Sequence, residues 1–186
     1  MAKVAIKPST YLYPVPAVMV TCGPRERPNI IALAWVGTVC SDPPMVGISI
    51  RPSRYSHELI TQHGEFAVNV PTAKQVDIVD YCGTVSGRDV DKFSEAGLTP
   101  LPGSAIGTAI IAECPLNLEC KVQQVLSLGS HDLFLGEIVA VQVDEEVLTA
   151  QKQVDLSQAR PLAFGAREYW GLGERLASYG FSAKKR

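Results

Sequence analysis

Over residues 116–123 the chain alternates without a break, with Leu116, Leu118, Cys120 and Val122 set against Asn117, Glu119, Lys121 and Gln123. A period of two sends successive side chains to opposite faces of a strand, so this stretch predicts a sheet with one buried face. Phe66, Val68 and Val70 repeat the pattern. Runs rich in Val, Ile and Leu at 17–21, 45–50, 66–70, 117–125 and 133–143 lie between Gly, Pro and Asp clusters and predict further strands. Two short helices interrupt them. In the first, Ser53 or Ser56 is the expected cap, Leu59 and Ile60 are apolar, and Gly64 is the expected left-handed terminator. In the second, Thr72 with Gln75 forms a capping box, Val76 and Val79 share a face, and Gly83 is the expected end. Strands with inserted helices, rather than regular strand-helix alternation, predict a mainly β fold and not a doubly wound sheet.

The 186 residues, 46% of them hydrophobic, provide one domain with a core of its own, expected over roughly 13–173 with a polar, frayed Lys184, Lys185, Arg186 tail. A formal net charge of -2 disfavours nucleic acid and anionic membranes as partners, while leaving room for a local basic pocket that takes a small anion. The first eight residues carry lysines without an apolar run, and later apolar runs are broken well short of a membrane span. The five cysteines, Cys22, Cys40, Cys82, Cys114 and Cys120, are odd in number and form no C-x-x-C pair. Reduced thiols in a cytoplasmic protein are the expectation, with Cys114 and Cys120 as small buried residues on one face of a strand.

The stretch 29–63 predicts a strand, a turn at Asp42-Pro43-Pro44, a return strand, and then Arg51, Arg54 and Ser56 clustered at a helix start. Free backbone N–H groups, the positive end of the helix dipole, a hydroxyl and two guanidiniums together suit a phosphate. Two solvated arginines beside an ordinary cap are the plainer alternative.

The segment carrying Trp35, Thr38, Cys40, Asp42-Pro43-Pro44 and Ser56 resembles the flavin reductase-like FMN-binding split barrel family. The later runs DYCGTVSGRDVDKF, ECPLNLEC and LGSHDLFLGEIVAV resemble its flavoredoxin branch. The resemblance implies a six-stranded antiparallel split β-barrel with a few short peripheral helices, and a homodimer with FMN in a groove near the subunit contact. It matches Trp35, Thr38, Val39 and Cys40 to the strand beside the flavin and ribityl chain, and Ser49, Arg51, Arg54 and Ser56 to the phosphate end. Cys40 stands where Ser is usual in the family, and Ser56 where Thr is frequent. It places Lys92, His131 and Phe164 near the isoalloxazine ring. There a lysine would stabilise negative charge on reduced flavin, a histidine would donate a hydrogen bond or relay a proton, and Trp35 and Phe164 would shield the ring.

Taken without the resemblance, Lys92 lies in a charged turn, His131 beside Asp132 is a turn histidine bonded to its neighbour, and Trp35 is a core residue. Two other classes compete. In one, Cys40 or Cys82 is a thiolate nucleophile with His131 and Asp132 as base and orienter. In the other, the barrel is a non-catalytic flavin-binding module. Within the flavin reading, no G-x-G-x-x-G fingerprint marks a separate dinucleotide domain. That favours an electron carrier with bound FMN and a redox partner protein, with an NADH- or NADPH-dependent flavin reductase as the alternative.

Overall fold

A computed structural model describes residues 1–183, so the polar tail at 184–186 lies outside the described residues. The elements run β1 (Val15–Pro16), β2 (Val18–Cys22), β3 (Asn29–Leu33), β4 (Val36–Ser41), β5 (Pro44–Ile50), α1 (Tyr55–His63), β6 (Glu65–Val70), α2 (Val76–Thr84) and α3 (Lys92–Glu95). They continue with β7 (Pro100–Pro102), β8 (Ala109–Ile111), β9 (Leu116–Ser127), β10 (Asp132–Val143), α4 (Leu156–Ala159), β11 (Leu162–Gly165) and β12 (Glu168–Gly171).

The main sheet is antiparallel, with seven strands in the order β3-β2-β6-β9-β10-β5-β4. Its two outer strands, β3 and β4, are consecutive in the chain, separated only by Ala34 and Trp35. At that bend the Ser49 N–H donates to the Trp35 carbonyl at 3.0 Å, so one bent strand pairs first with β2 and then with β5. Counted as one, β3 and β4 reduce the seven strands to the six of the expected barrel. Closing a sheet in this way satisfies the strand edges that an open sheet leaves free.

Burial explains the sequence patterns. Val18, Val20 and Cys22 of β2 point into the barrel with Ile48, Phe66, Val68, Cys120 and Phe134. Ala17 and Met19 point outward into a second core with Ile30, Val79, Cys82, Phe93 and Leu98. A strand buried on both faces has no polar side, which is why 17–21 reads as a continuous apolar run. Where β10 passes Phe66, a Cβ at Gly136 would sit 2.6 Å from the ring, so only glycine fits at this bulge.

Several expectations need correction. The polar side of the β9 alternation is not solvated: Asn117 and Glu119 are buried. Asn117 Nδ2 donates to Asn69 Oδ1 at 2.8 Å and to the Ile111 carbonyl at 3.1 Å, fastening β8 across the outside of the barrel. Neither Ser53 nor Ser56 caps α1; Arg54 occupies the cap position and offers no side-chain bond there. Gly64 does end that helix in the left-handed region, at φ 69°. The Thr72–Gln75 box is formed, but it opens a 3₁₀ turn leading into α2. Val76 is exposed, unlike Val79, and Gly83 sits inside the last turn of α2 rather than beyond it. All five cysteines are free, and Cys114 lies before β9 in the outer core while Cys120 faces the barrel interior. Among the described residues no helix is long and apolar enough to cross a membrane.

Glu119 is the most tightly held carboxylate. It accepts from Ser104 N at 2.9 Å, Ser104 Oγ at 2.8 Å, Ala105 N at 2.6 Å and Gln142 Nε2 at 2.6 Å. Burial alone would raise its pKa, but these donors outweigh burial and hold it below its ordinary value. The sign follows: the stability it contributes is complete above the unfolded carboxyl value of about 4.3 and is lost as pH falls through the lowered folded one. Glu119→Gln turns an amide donor toward donors and should cost roughly 2 kcal/mol at pH 7. Urea unfolding against pH would check this, with the variant losing part of the wild-type decline below pH ~4.

Candidate functional site

The β3–β4 bend, the start of α1, the β9–β10 turn and the β11–β12 hairpin converge on one groove with two connected chambers. The larger, about 620 Å³, is walled by Ile31 to Trp35 along the bend and by Ser49, Ile50 and Arg51 at the end of β5. Arg54, Gly83, His131, Phe164 and Arg167 complete it. The smaller, about 320 Å³, shares Ala32, Leu33, Ala34, Gly83, Phe164 and Arg167 and adds Ala17, Val79, Asp80, Thr84 and Tyr169.

Arg51 and Arg54 stand at the start of α1, where no side chain caps the helix. Neither has a carboxylate partner among the described residues, where Asp132 is taken by His57 and Glu58 by Arg88. Guanidiniums without carboxylate partners beside an uncapped helix start suit an anion. At the chamber's other wall, the Trp35 and His131 rings lie 4.5 Å apart between centroids, tilted by 48°. His131 Nδ1 pairs with Ser130 Oγ at 2.9 Å, and Nε2 has no protein partner among the described residues. Burial first, and then the Arg51 guanidinium, lower the His131 pKa, so its imidazole is neutral at neutral pH.

The structure thus brings Trp35, Ser49, Arg51, Arg54, His131 and Phe164 to one chamber. Trp35 is an exposed wall of that chamber and not a core residue, because the bend turns its side chain out of the barrel. Thr38, Val39 and Cys40 lie farther along β4, outside the walls; Thr38 and Val39 are exposed, and the Cys40 thiol points to the Asp42 carbonyl at 3.4 Å. Ser56 is buried, its hydroxyl accepting from Asn29 Nδ2 at 2.7 Å. Lys92 is not in a surface turn. It is 5% exposed at the start of α3, where Nζ donates to the carbonyls of Ile30 and Cys82, each at 2.7 Å. Their chain neighbours Ile31 and Gly83 line the larger chamber, so Lys92 stands directly behind its wall, with burial lowering its pKa.

The thiol-nucleophile constellation is not formed. Asp132 bonds His57 Nε2 at 2.8 Å rather than His131, and that bond holds its carboxyl below the ordinary value. Burial pushes the Cys82 thiol up to about 11, which leaves it protonated and unreactive.

Sequence reasoning missed Arg167, Asp80 and Gly83 as groove residues. Arg167 sits with Ala166 in the β11–β12 turn, both left-handed at φ 67° and 52°. Such a turn is normally announced by Asn-Gly, and Gly165-Ala166-Arg167-Glu168 carries no such signal. Gly83 was expected as a helix stop, whereas inside α2 it allows a close approach to β3, where an added Cβ would lie 3.3 Å from the Ala32 Cβ.

Comparison with solved structures agrees with this geometry. Flavoredoxin of Desulfovibrio vulgaris (Miyazaki F) superimposes with a TM-score of 0.91 at 37% identity, over 98% of this chain and 100% of that one. Flavoredoxin from Methanosarcina acetivorans gives 0.91 at 33% identity over the same shares. An NADH-dependent FMN reductase, AsuE2, of Streptomyces nodosus subsp. asukaensis is 30% identical over 127 residues, 68% of each chain. Residues 10–173 match the flavin reductase like domain, and with the barrel and these relatives this places the chain in the flavin reductase-like split-barrel family, in its flavoredoxin branch.

Proposed function

We propose that the larger chamber holds FMN and that the protein is a flavin-dependent oxidoreductase of the flavoredoxin type, passing electrons between a donor and a redox partner in the cytoplasm. The observation that carries this is the pair of guanidiniums, Arg51 and Arg54, without carboxylate partners among the described residues, at the uncapped start of α1, opening into a chamber walled by Trp35, His131 and Phe164. A phosphate fits the first feature and a flat aromatic ring the second, joined through a chamber of ordinary cofactor size. Bound there, FMN would supply reversible two-electron chemistry. Ser49 would offer polar contact along the wall. His131, neutral and with Nε2 free, would donate or accept a proton at the ring edge. Lys92, through the carbonyls it grips, would position the wall and set a positive charge behind it. The five free thiols fit a reducing compartment.

The NADH-dependent relative supports a second reading, direct flavin reduction by NADH or NADPH. Anaerobic addition of either nucleotide to the flavin-loaded protein separates the two: fast bleaching identifies a reductase, and bands that persist until a protein donor is added identify a carrier.

A homodimer completes the proposal. Val39, Leu133 and Leu135 gather over Gly47 on the outer face of β4, β5 and β10, and Leu126 sits opposite Leu133 on β9. With Val39 53% exposed, this apolar face suits a second copy and would bring the edge of β4, with Thr38 and Cys40, to the contact. Val39→Glu combined with Leu126→Glu should convert a dimer to monomers in analytical ultracentrifugation; a wild-type monomer would refute the assembly.

Arg51→Ala with Arg54→Ala should weaken FMN binding by roughly 3 kcal/mol, the loss of two charge-assisted contacts, measured by fluorescence titration of flavin. Unchanged affinity would remove the phosphate assignment. His131→Ala should retain FMN but slow its reduction or reoxidation in stopped-flow. In the flavin-free protein the His131 Cε1 proton should titrate below the ordinary value of about 6.5, and Arg51→Ala should move that midpoint upward.

A further inference from the structure

The first turn of α1 borders the anion end of the groove, yet a helix of nine residues without a side-chain cap has little stability of its own there. Each of its first four residues is instead tied from outside. Arg88 stacks 4.7 Å over the Tyr55 ring and donates to Glu58 at 2.6 Å, and Asn29 of β3 donates to the Ser56 hydroxyl at 2.7 Å. His57 makes the remaining tie, from Nε2 to the Asp132 carboxylate of β10 at 2.8 Å. Of these ties, only that of His57 reaches the β9–β10 hairpin that carries His131.

Asp132 follows His131 directly, and the Leu128 N–H donates to the His131 carbonyl at 3.0 Å to close the turn between β9 and β10. In the sheet Asp132 lies opposite Ile50, the residue before Arg51. On the helix side the Arg54 N–H donates to the Arg51 carbonyl and the His57 N–H to the Arg54 carbonyl, each at 3.0 Å. Arg51, Arg54 and His57 are thus successive steps of one hydrogen-bonded segment, and the His57 side chain joins it to the neighbour of His131. That bond is shielded. The side chains of His57 and Asp132 are 16% and 14% exposed, and the His57 ring stands edge-on to Phe134, centroids 5.1 Å apart at 74°. The same bond holds the Asp132 carboxyl below its ordinary value, so at neutral pH Asp132 only accepts and Nε2 carries the hydrogen.

We infer that His57 and Asp132 are positioning residues, whose bond fixes the span between the anion end at Arg51 and Arg54 and the ring end at His131, and so sets the groove for a ligand that must reach both. This inference rests on the reading of the larger chamber as the FMN site. A ligand attached at two points gains from the second contact only where the protein holds the two points at the ligand's own length. FMN depends on that span. Riboflavin, which has no phosphate, and inorganic phosphate, which has no ring, each use one end and do not. Neither His57 nor Asp132 is among the chamber's walls, so the pair acts through the residues it aligns.

Two substitutions at one position separate the bond from the packing. His57→Phe keeps a ring against Phe134 and has no donor, while His57→Gln places an amide N–H near the position of Nε2 and has no ring. Wild type and variants are titrated with FMN and riboflavin by fluorescence and with inorganic phosphate by calorimetry. His57→Phe should weaken FMN about tenfold and leave riboflavin and phosphate within about twofold, whereas His57→Gln should keep FMN within about threefold of wild type. Asp132→Ala breaks the same bond from β10 and should reproduce His57→Phe, with the double variant no weaker than either alone. Undiminished FMN affinity in His57→Phe and Asp132→Ala would overturn the inference while the cofactor reading stood. Equal losses in His57→Phe and His57→Gln, or parallel losses of all three ligands, would also overturn it, since they mark packing rather than alignment. A wild type that binds FMN no more tightly than riboflavin would overturn the cofactor reading, and the positioning role with it.

Discussion

The bend at Ala34 and Trp35 is the constraint on which the remaining architecture depends. By changing partners there, one strand closes the barrel and at the same time leaves its own backbone as the floor of both chambers. The hydrogen bond from Ser49 to the Trp35 carbonyl fixes the corner at 3.0 Å, and Ser49 and Trp35 are themselves wall residues. Closure and site are thus consequences of one local geometry. A change that straightened this strand would open the sheet edge and remove the groove together.

Lys92 ties that floor to the helices beneath it. Its ammonium satisfies the carbonyl of Ile30 on β3 and that of Cys82 near the end of α2, where Gly83 and Thr84 border the groove. A buried lysine paired only with carbonyls is costly, and burial lowers its pKa accordingly. The residue therefore joins two walls mechanically and contributes positive charge behind them. Its role as part of the site is indirect, which separates it from Arg51, Arg54 and His131, whose side chains border the chamber.

Much of the barrel was legible because half-buried strands advertise themselves: 45–50, 66–70, 117–125 and 133–143 all fall within strands of the structure. The misses have physical causes. Asn117 and Glu119 alternate as a solvated face would, but they are buried by β8 and the 104–105 segment, a long-range cover that no local pattern reports. Ser56 was read as a ligand group because hydroxyls suit helix starts, whereas its hydroxyl is engaged by Asn29, whose place beside it is set only by tertiary packing. Arg51 and Arg54 were legible as two guanidiniums clustered at a helix start, whereas His131 and Phe164 were found through resemblance. Arg167 and Asp80 carry no local signature, since a turn lacking glycine and an acidic helix residue look ordinary until the chain is folded.

The anion end also depends on what is kept away from it. Glu58 lies in the first turn of α1, close enough in sequence to neutralise Arg54, and Asp132 follows His131 directly. Each is engaged elsewhere. Arg88 takes Glu58 at 2.6 Å while stacking 4.7 Å above the Tyr55 ring, and His57 takes Asp132 at 2.8 Å. A chain of net charge -2 can therefore present Arg51 and Arg54 without carboxylate partners among the described residues, because Glu58 and Asp132 are engaged by other side chains. On the proposed reading, selectivity for an anion would come from the pairing of neighbouring charges as much as from the arginines themselves.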